Sequence, residues 1–377
     1  MNTLNFNTPS IFNSLSDDLK KLEKYNYFKS GGKFTQKCEE WLKKSIGCKE
    51  ALLVHSCTAA LEMCAVLLDI KKNDEIIMPS YTFVSTANAF VLRDALPVFI
   101  DIDPTTCNID PTKIEEAITI KTKAIVIVHY AGISCDMASI LKIARKNSLI
   151  LIEDAAQAIL SYHNDKPLGS FGDFATLSFH ETKNIHCGEG GALLINNPKF
   201  IERAKIVRDK GTNRYLFNQN MVKHYTWVDY GSSYGLNEFN AVILYSQLKK
   251  AKKITQKRLV YFKYYHKLLE VLEQRNFIKR PEIPKYAQQN GHIYYVILRK
   301  NVRDKLIKYL LKKNIYALSH YVPLHSSPFG KQKTKIGSTM KNTDSISQNL
   351  LRLPLHLKMN KKDIKRCTNE IIMFFKE

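Results

Sequence analysis

The sequence predicts an α/β fold: a mostly parallel sheet covered on both faces, followed by a smaller α+β region. Two observations predict it. Between Ala51 and Ile195, short unbroken apolar runs alternate with stretches of helical spacing. Strands buried on both faces read as continuous apolar runs, and parallel neighbours need crossover helices between them. Past Gly235 that alternation stops, and long Lys-, Tyr- and Leu-rich helical patterns take over.

The elements follow in order. Ala51–Val54 is a buried strand, and Thr58–Leu68 has helical spacing behind a Ser56-Cys57-Thr58 cap signature. Further strands are expected at Glu75–Met78, stopped by Pro79, and at Pro97–Asp101, Ala124–Val128 and Leu149–Glu153. Ligands of such sheets sit at the carboxyl ends of the strands. That singles out Ser56, Tyr81, His129 and Asp154. Asn237–Lys250 and Lys252–Leu272 read as helices, His292–Leu298 as a strand and Arg303–Lys313 as a helix. The expected division is a large domain over 1–250 and a small one over 251–377.

Composition narrows the function. Lysine and arginine number 57 against 35 acidic residues, a formal charge of +22. The excess is spread thinly with no block of like charges forming a tail; it fits a nucleic-acid or anionic-lipid partner, anionic small substrates, or simply a lysine-rich proteome. The first thirty residues are too short for an added helix-turn-helix, and no nucleic-acid partner is expected. Eight cysteines lie apart, with no C-x-x-C pair and no zinc spacing, so reduced thiols, no metal and a cytoplasmic setting are expected. Met1–Phe6 lacks the pattern of a signal peptide. Ala51–Leu68, the most apolar long stretch, is broken by His55, Ser56, Thr58 and Glu62, which speaks against a membrane span.

The chemistry is carried by Glu153-Asp154-Ala155-Ala156-Gln157 at a strand end and Lys183 within Ser178-Phe179-His180-Glu181-Thr182-Lys183-Asn184. A carboxylate at a strand end, a downstream lysine and a nearby serine suit pyridoxal phosphate. That cofactor needs an amine for its Schiff base, a carboxylate to keep its ring nitrogen protonated, and phosphate donors at a helix start. Cys57-Thr58-Ala59 and the Ser178 hydroxyl meet the third need. Each element alone has a plainer reading, as a helix cap or a solvated surface lysine. Their order and context together point to the cofactor.

With these strings, and with Met78-Pro79-Ser80-Tyr81-Thr82-Phe83-Val84-Ser85-Thr86-Ala87-Asn88 and Gly188-Glu189-Gly190-Gly191, nearly the whole chain resembles the DegT/DnrJ/EryC1/StrS sugar-nucleotide aminotransferases. These have the type I pyridoxal-phosphate transferase fold, like aspartate aminotransferase. Lys210-Gly211-Thr212-Asn213-Arg214 and Tyr225-Thr226-Trp227 resemble the branch acting at C4 of dTDP-4-oxo-6-deoxyglucose.

The resemblance implies roles. Lys183 would be the Schiff-base lysine and the acid/base. Asp154 would pair with the ring nitrogen, Gln157 would reach the phenolic oxygen, and Phe83 would stack on the ring. Thr58, Ala59 and Ser178 would hold the phosphate. His320, Tyr321 and His325 would face the substrate. It further implies L-glutamate as donor, a nucleotide sugar as acceptor, and a homodimer serving surface-polysaccharide or O-antigen synthesis. The galacto amine would be favoured over the gluco epimer, with a C3 transaminase as a further alternative. Ser233 stands where relatives carry an Asn that reaches the partner subunit's phosphate site, and the Arg that follows in relatives is Gly235 here.

Overall fold

The computed structural model describes residues 2–12, 14–299 and 301–376. Its main sheet has eight strands. In chain order these begin with β1 (Glu50–Val54), β2 (Glu75–Pro79), β3 (Leu96–Ile100), β4 (Thr122–Val128) and β5 (Ile150–Asp154). Then come β6 (Phe174–Ser178), β7 (Gly191–Ile195) and, from much later in the chain, Lys335–Ile336. The spatial order is β1-β7-β6-β5-β4-β2-β3, with Lys335–Ile336 on the outer edge of β3. Every neighbouring pair is parallel except those made by β7, which runs antiparallel to both β1 and β6. All other strands therefore point their carboxyl ends at one edge.

The apolar runs explain the layers. Ile76, Met78, Phe99, Val126 and Ile152 face one core together with the helix Cys57–Leu67. Ile77, Val98, Ile100, Ile125 and Ile127 face another, covered by the helix Met137–Lys146. Alternate residues of one strand thus serve opposite faces, and both are apolar because both are covered. Each such side chain, fully removed from water, contributes about 1.5–3 kcal/mol.

The C-terminal part has a four-stranded antiparallel sheet, ordered Ile278–Lys279, Tyr294–Leu298, Leu350–Leu353, Leu318–Ser319. The helices Ala251–Leu268 and Lys361–Phe374 share its core through Phe262, Tyr265, Ile364 and Ile371. Several connections cross the division expected near residue 250, among them the pairing of Ala287–Gln288 with Tyr162–His163. The strand Lys335–Ile336 joins the main sheet, and Leu4 pairs with Ile315 and packs into the C-terminal core.

The expected elements lie within one or two residues of those observed, except that the long helical pattern after Lys252 breaks into Ala251–Leu268 and Glu270–Gln274. None of the eight cysteines is in a disulfide. No described helix is long and apolar enough to cross a membrane.

Candidate active site

The carboxyl edge of the sheet opens into a cavity of about 700 Å³. Five of the strands that end at this edge deliver a residue to it: Ser56 after β1, Thr82 after β2, Val128 of β4, Asp154 of β5 and Ser178 of β6. The opposite wall comes from the C-terminal part, through Arg258, His292, His320, Tyr321 and Arg352.

Two adjacent carboxylates at the end of β5 have opposite fates. Glu153 points away from the cavity and is fully buried. It accepts hydrogen bonds from the backbone N–H groups of Gly169, Phe171 and Gly172 at 2.7–2.8 Å, and it lies 3.0 Å from His129 Nε2. Burial alone raises its pKa, but the bond from His129 and these amides outweigh it and hold the carboxyl below its usual range. Asp154 lines the cavity. Its Oδ2 accepts from the Thr86 hydroxyl at 2.8 Å, and its Oδ1 from the Ala156 N–H at 3.1 Å. Burial dominates there, and the carboxyl sits above its usual value. It has no ion-pair partner among the described residues, an expensive state for a buried acid.

Lys183 hangs from a tight loop between β6 and β7. The loop is closed by backbone bonds from Phe179 to Gly190 and from Glu181 to Gly188, both 2.8 Å. Its amine lines the cavity and is lowered by burial, with Cys57 and Asp154 opposing that shift. It takes part in no hydrogen bond or ion pair among the described residues.

The start of the helix Cys57–Leu67 forms a concave N-terminus. Ser56 caps it, its hydroxyl accepting from the Ala59 N–H at 3.0 Å, while the N–H groups of Cys57 and Thr58 have no acceptor among the described residues. The Thr58 hydroxyl donates to Ser85 at 2.7 Å. Gly191 of β7 presses on this turn: a Cβ there would lie 2.4 Å from the Cys57 nitrogen. Only glycine lets the strand approach so closely.

The remaining sequence candidates are placed unevenly. Phe83 is 58% exposed and lines the cavity, with its ring 6.5 Å from that of Tyr321. Gln157 also lines it, accepting from the Ala131 N–H at 2.7 Å and donating to the Tyr321 hydroxyl at 3.0 Å. The His320 Nδ1 lies 3.0 Å from the Tyr130 hydroxyl, and burial pushes its pKa well down. Three candidates do not reach the cavity lining. Ala59 is buried behind the cap. Ser233 is exposed and bridges to Asp209. His325 lies 2.8 Å from Ser80 Oγ and 3.2 Å from Asp344 Oδ1, so its ring ties two elements together beside the site.

Several cavity residues were not singled out from sequence: Thr86, Ser85, Arg258, His292, Arg352 and the N-terminal pair Phe6 and Asn7. Thr86 and Ser85 lay within the quoted Met78–Asn88 string, and Arg352 adjoins Leu353-Pro354-Leu355.

With this geometry in view, comparison with known proteins is decisive. Residues 9–372 match the family model of the DegT/DnrJ/EryC1/StrS aminotransferases. The chain belongs to that family. An uncharacterised protein of Methanocaldococcus jannaschii is 38% identical, covering 90% of this chain and 89% of its own. The spore coat polysaccharide biosynthesis protein SpsC of Bacillus subtilis is 31% identical over 89% and 88%. The structure of Helicobacter pylori PseC, an aminotransferase involved in pseudoaminic acid biosynthesis, superposes with a TM-score of 0.90 over the whole of both chains at 25% identity.

The chain therefore has the type I pyridoxal-phosphate transferase fold and is a pyridoxal-phosphate-dependent aminotransferase, with the family's general chemistry of sugar-nucleotide transamination. The cavity fits the cofactor. An uncompensated buried carboxylate suits a protonated ring nitrogen, an unengaged amine lies in the same cavity, and two open N–H groups at a helix start suit a phosphate.

Proposed function

We propose that the family member transfers the amino group of L-glutamate to C4 of dTDP-4-oxo-6-deoxy-D-glucose, giving the galacto 4-amino-4,6-dideoxy sugar for a surface polysaccharide. The observation that carries the catalytic reading is the presence, in one cavity, of a buried Asp154 without an ion-pair partner and an unengaged Lys183 amine. The substrate reading is supported by the Lys210–Arg214 and Tyr225–Trp227 strings and by the polysaccharide and pseudoaminic acid roles in the names of SpsC and PseC. The aromatic faces of Phe83 and Tyr321 suit a sugar or base, and the charge of +22 suits a diphosphate.

When bound, pyridoxal phosphate supplies a ring that accepts the electrons of the carbon losing its proton. Asp154 would keep the ring nitrogen protonated, with the Thr86 hydroxyl and the Ala156 N–H fixing the orientation of its carboxylate. Cys57 and Thr58 hold the phosphate through backbone N–H groups, with the Ser178 hydroxyl beside them. Gln157 holds the loop at Ala131 and keeps one N–H for the phenolic oxygen. Phe83 would cover the ring face. The Lys183 amine takes the proton from the α-carbon of the donor and, in the return half, delivers one to C4 of the sugar. Its lowered pKa makes a neutral amine accessible for the first of these transfers. Ser233, exposed on the surface, would serve the cofactor phosphate of a partner subunit in a homodimer.

The test is a reaction followed by proton NMR, with protein, pyridoxal phosphate, L-glutamate and dTDP-4-oxo-6-deoxyglucose. Small H3–H4 and H4–H5 couplings are expected, marking an axial amine. Large couplings would establish the gluco epimer instead, and an amine at C3 would overturn the regiochemistry. Absence of any amino sugar, with glutamate still consumed, would remove this sugar while leaving the aminotransferase in place.

A further inference from the structure

The positive charge forms no block in the sequence, yet the two parts of the chain do not share it evenly. Residues 251–377 hold 28 basic and 8 acidic side chains, a formal +20, while residues 1–250 hold 29 and 27, a formal +2. A chain that was lysine-rich throughout would show the excess in both parts. Here it belongs to one, which points to a surface rather than to overall composition.

The fold gathers this charge on one face. Tyr294, Val296 and Leu351 of the small sheet point into a core shared with three helices, Ala251–Leu268, Lys361–Phe374 and Arg303–Lys312. Tyr295 and Arg352 alternate with them and point the other way, Arg352 into the cavity wall. The helices therefore form a layer on the side of the sheet away from the cavity. Within it, the Tyr309 and Phe374 rings lie 5.4 Å apart, and Lys361 lies over the Tyr264 ring.

The outer side of the layer is exposed lysine, with Lys253 and Lys267 on the first helix, Lys362 and Lys365 on the second, and Lys305 and Lys308 on the third. None of these six has an ion-pair partner among the described residues. The acids of the same helices are already engaged: Glu370 with Lys313, Asp304 with Arg303, and Asp363 in its helix's capping box. The three arginines are committed to backbone carbonyls, Arg258 to that of Gly291, Arg303 to that of Ser347 and Arg366 to those of Asn2 and Lys313. What faces solvent is thus a set of flexible point charges rather than guanidinium forks.

Each helix also shows one bare aliphatic side chain among its lysines: Val260, 49% exposed, Leu311, 49%, and Met373, 46%. Lys253, Val260 and Lys267 are spaced by seven residues, and Lys362 and Met373 by eleven, so each set lies on one side of its helix. A nucleic acid offers phosphates to the lysines but nothing to these aliphatic tips. An anionic bilayer offers both: charged headgroups, and an acyl boundary just beneath them. We propose that this three-helix face docks the enzyme peripherally on an anionic lipid bilayer, with no segment crossing it. The cavity wall, on the far face of the small sheet, is left untouched. The proposal does not depend on which sugar the enzyme takes.

The experiment sediments holoenzyme with large vesicles of phosphatidylcholine, alone or mixed with phosphatidylglycerol. Wild type is expected to bind the mixed vesicles at low salt, to leave them at high salt, and to ignore phosphatidylcholine alone. Each lysine beside an anionic leaflet strengthens binding roughly fivefold, so the triple variant Lys253→Gln/Lys308→Gln/Lys362→Gln should bind about 100-fold more weakly. Removing equal charge from the large domain, in Lys72→Gln/Lys121→Gln/Lys123→Gln, should weaken binding less than about fivefold. Val260→Ser/Leu311→Ser/Met373→Ser should weaken it at least about tenfold. Melting temperature and bound-cofactor absorbance should be unchanged in all three.

Failure of wild type to bind the mixed vesicles at low salt would overturn the proposal. So would equal losses in the two lysine triples, which would reduce the effect to net charge. Tighter binding to a DNA duplex than to the vesicles, with the serine triple matching wild type on both, would overturn it in favour of a nucleic acid.

Discussion

The two walls of the cavity are built on different plans. The sheet wall is assembled from strand ends, and its polar groups come from neighbouring positions: Asp154 and Gln157, then Ser178 and Lys183. The C-terminal wall gathers Arg258 from a helix, His292 from a loop, Arg352 from the inner strand Leu350–Leu353 and His320 from just past the edge strand Leu318–Ser319. On the first wall Asp154 forms no ion pair among the described residues, and the second wall carries cations with no acid. Neither is electrically complete, and each lacks what a cofactor or substrate would bring.

Substitutions on the sheet wall sharpen that contrast, and the largest effect is expected at Lys183. On the proposed roles, Lys183→Ala would remove both the cofactor-binding amine and the proton carrier, so turnover should fall by roughly 10,000-fold or more. Steady-state assay of amino-sugar formation checks this, and near-normal turnover would break the assignment. Asp154→Asn keeps the shape but, on the proposed role, would not hold the ring nitrogen protonated. A loss on the order of 100- to 1,000-fold in kcat is expected, with far-UV circular dichroism unchanged.

Thr86→Val removes only the hydroxyl that orients Asp154. One hydrogen bond to a charged group is worth about 1.5–3 kcal/mol, so a fall of roughly ten- to a hundredfold in kcat is expected, smaller than that of D154N. If T86V equals D154N, orientation rather than charge is what Asp154 supplies.

The smallest effect is on stability. The fold lowers the Lys183 pKa from its ordinary 10.5, because burial disfavours the cation. That penalty is present in full below the folded pKa and is relieved as pH rises through it toward 10.5. Cofactor-free Lys183→Met should therefore melt above cofactor-free wild type at neutral pH, and the gap should narrow as pH approaches 10.5. Melting curves across that range test it, and a gap that widens with pH would contradict the sign.

How much of this was legible in the sequence follows the same division. The sheet wall lies in contiguous strings, because a strand and the loop behind it carry their functional groups together. Asp154 closing β5 and Lys183 beyond β6 could be read directly. The antiparallel course of β7 could not, since its apolar run looks like its parallel neighbours. On the C-terminal wall, Arg352 sits between two buried leucines, and only the pairing of Leu350–Leu353 with Tyr294–Leu298 and Leu318–Ser319 shows where it lies. His325 shows the reverse error. It follows His320 and Tyr321 closely in sequence, but the turn at Leu324–Ser326 carries it to Ser80 and Asp344.

The amino-terminal residues deserve a last consequence. Leu4 anchors in the C-terminal core, Asn5 offers its carbonyl to His356, and Asn7 reaches the Glu181 carbonyl, two residues from Lys183. Phe6 and Asn7 thereby line the cavity, although the family match begins only at residue 9. Trimming the chain to residues 9–372 would leave every strand of the main sheet intact and take a piece of the cavity wall away.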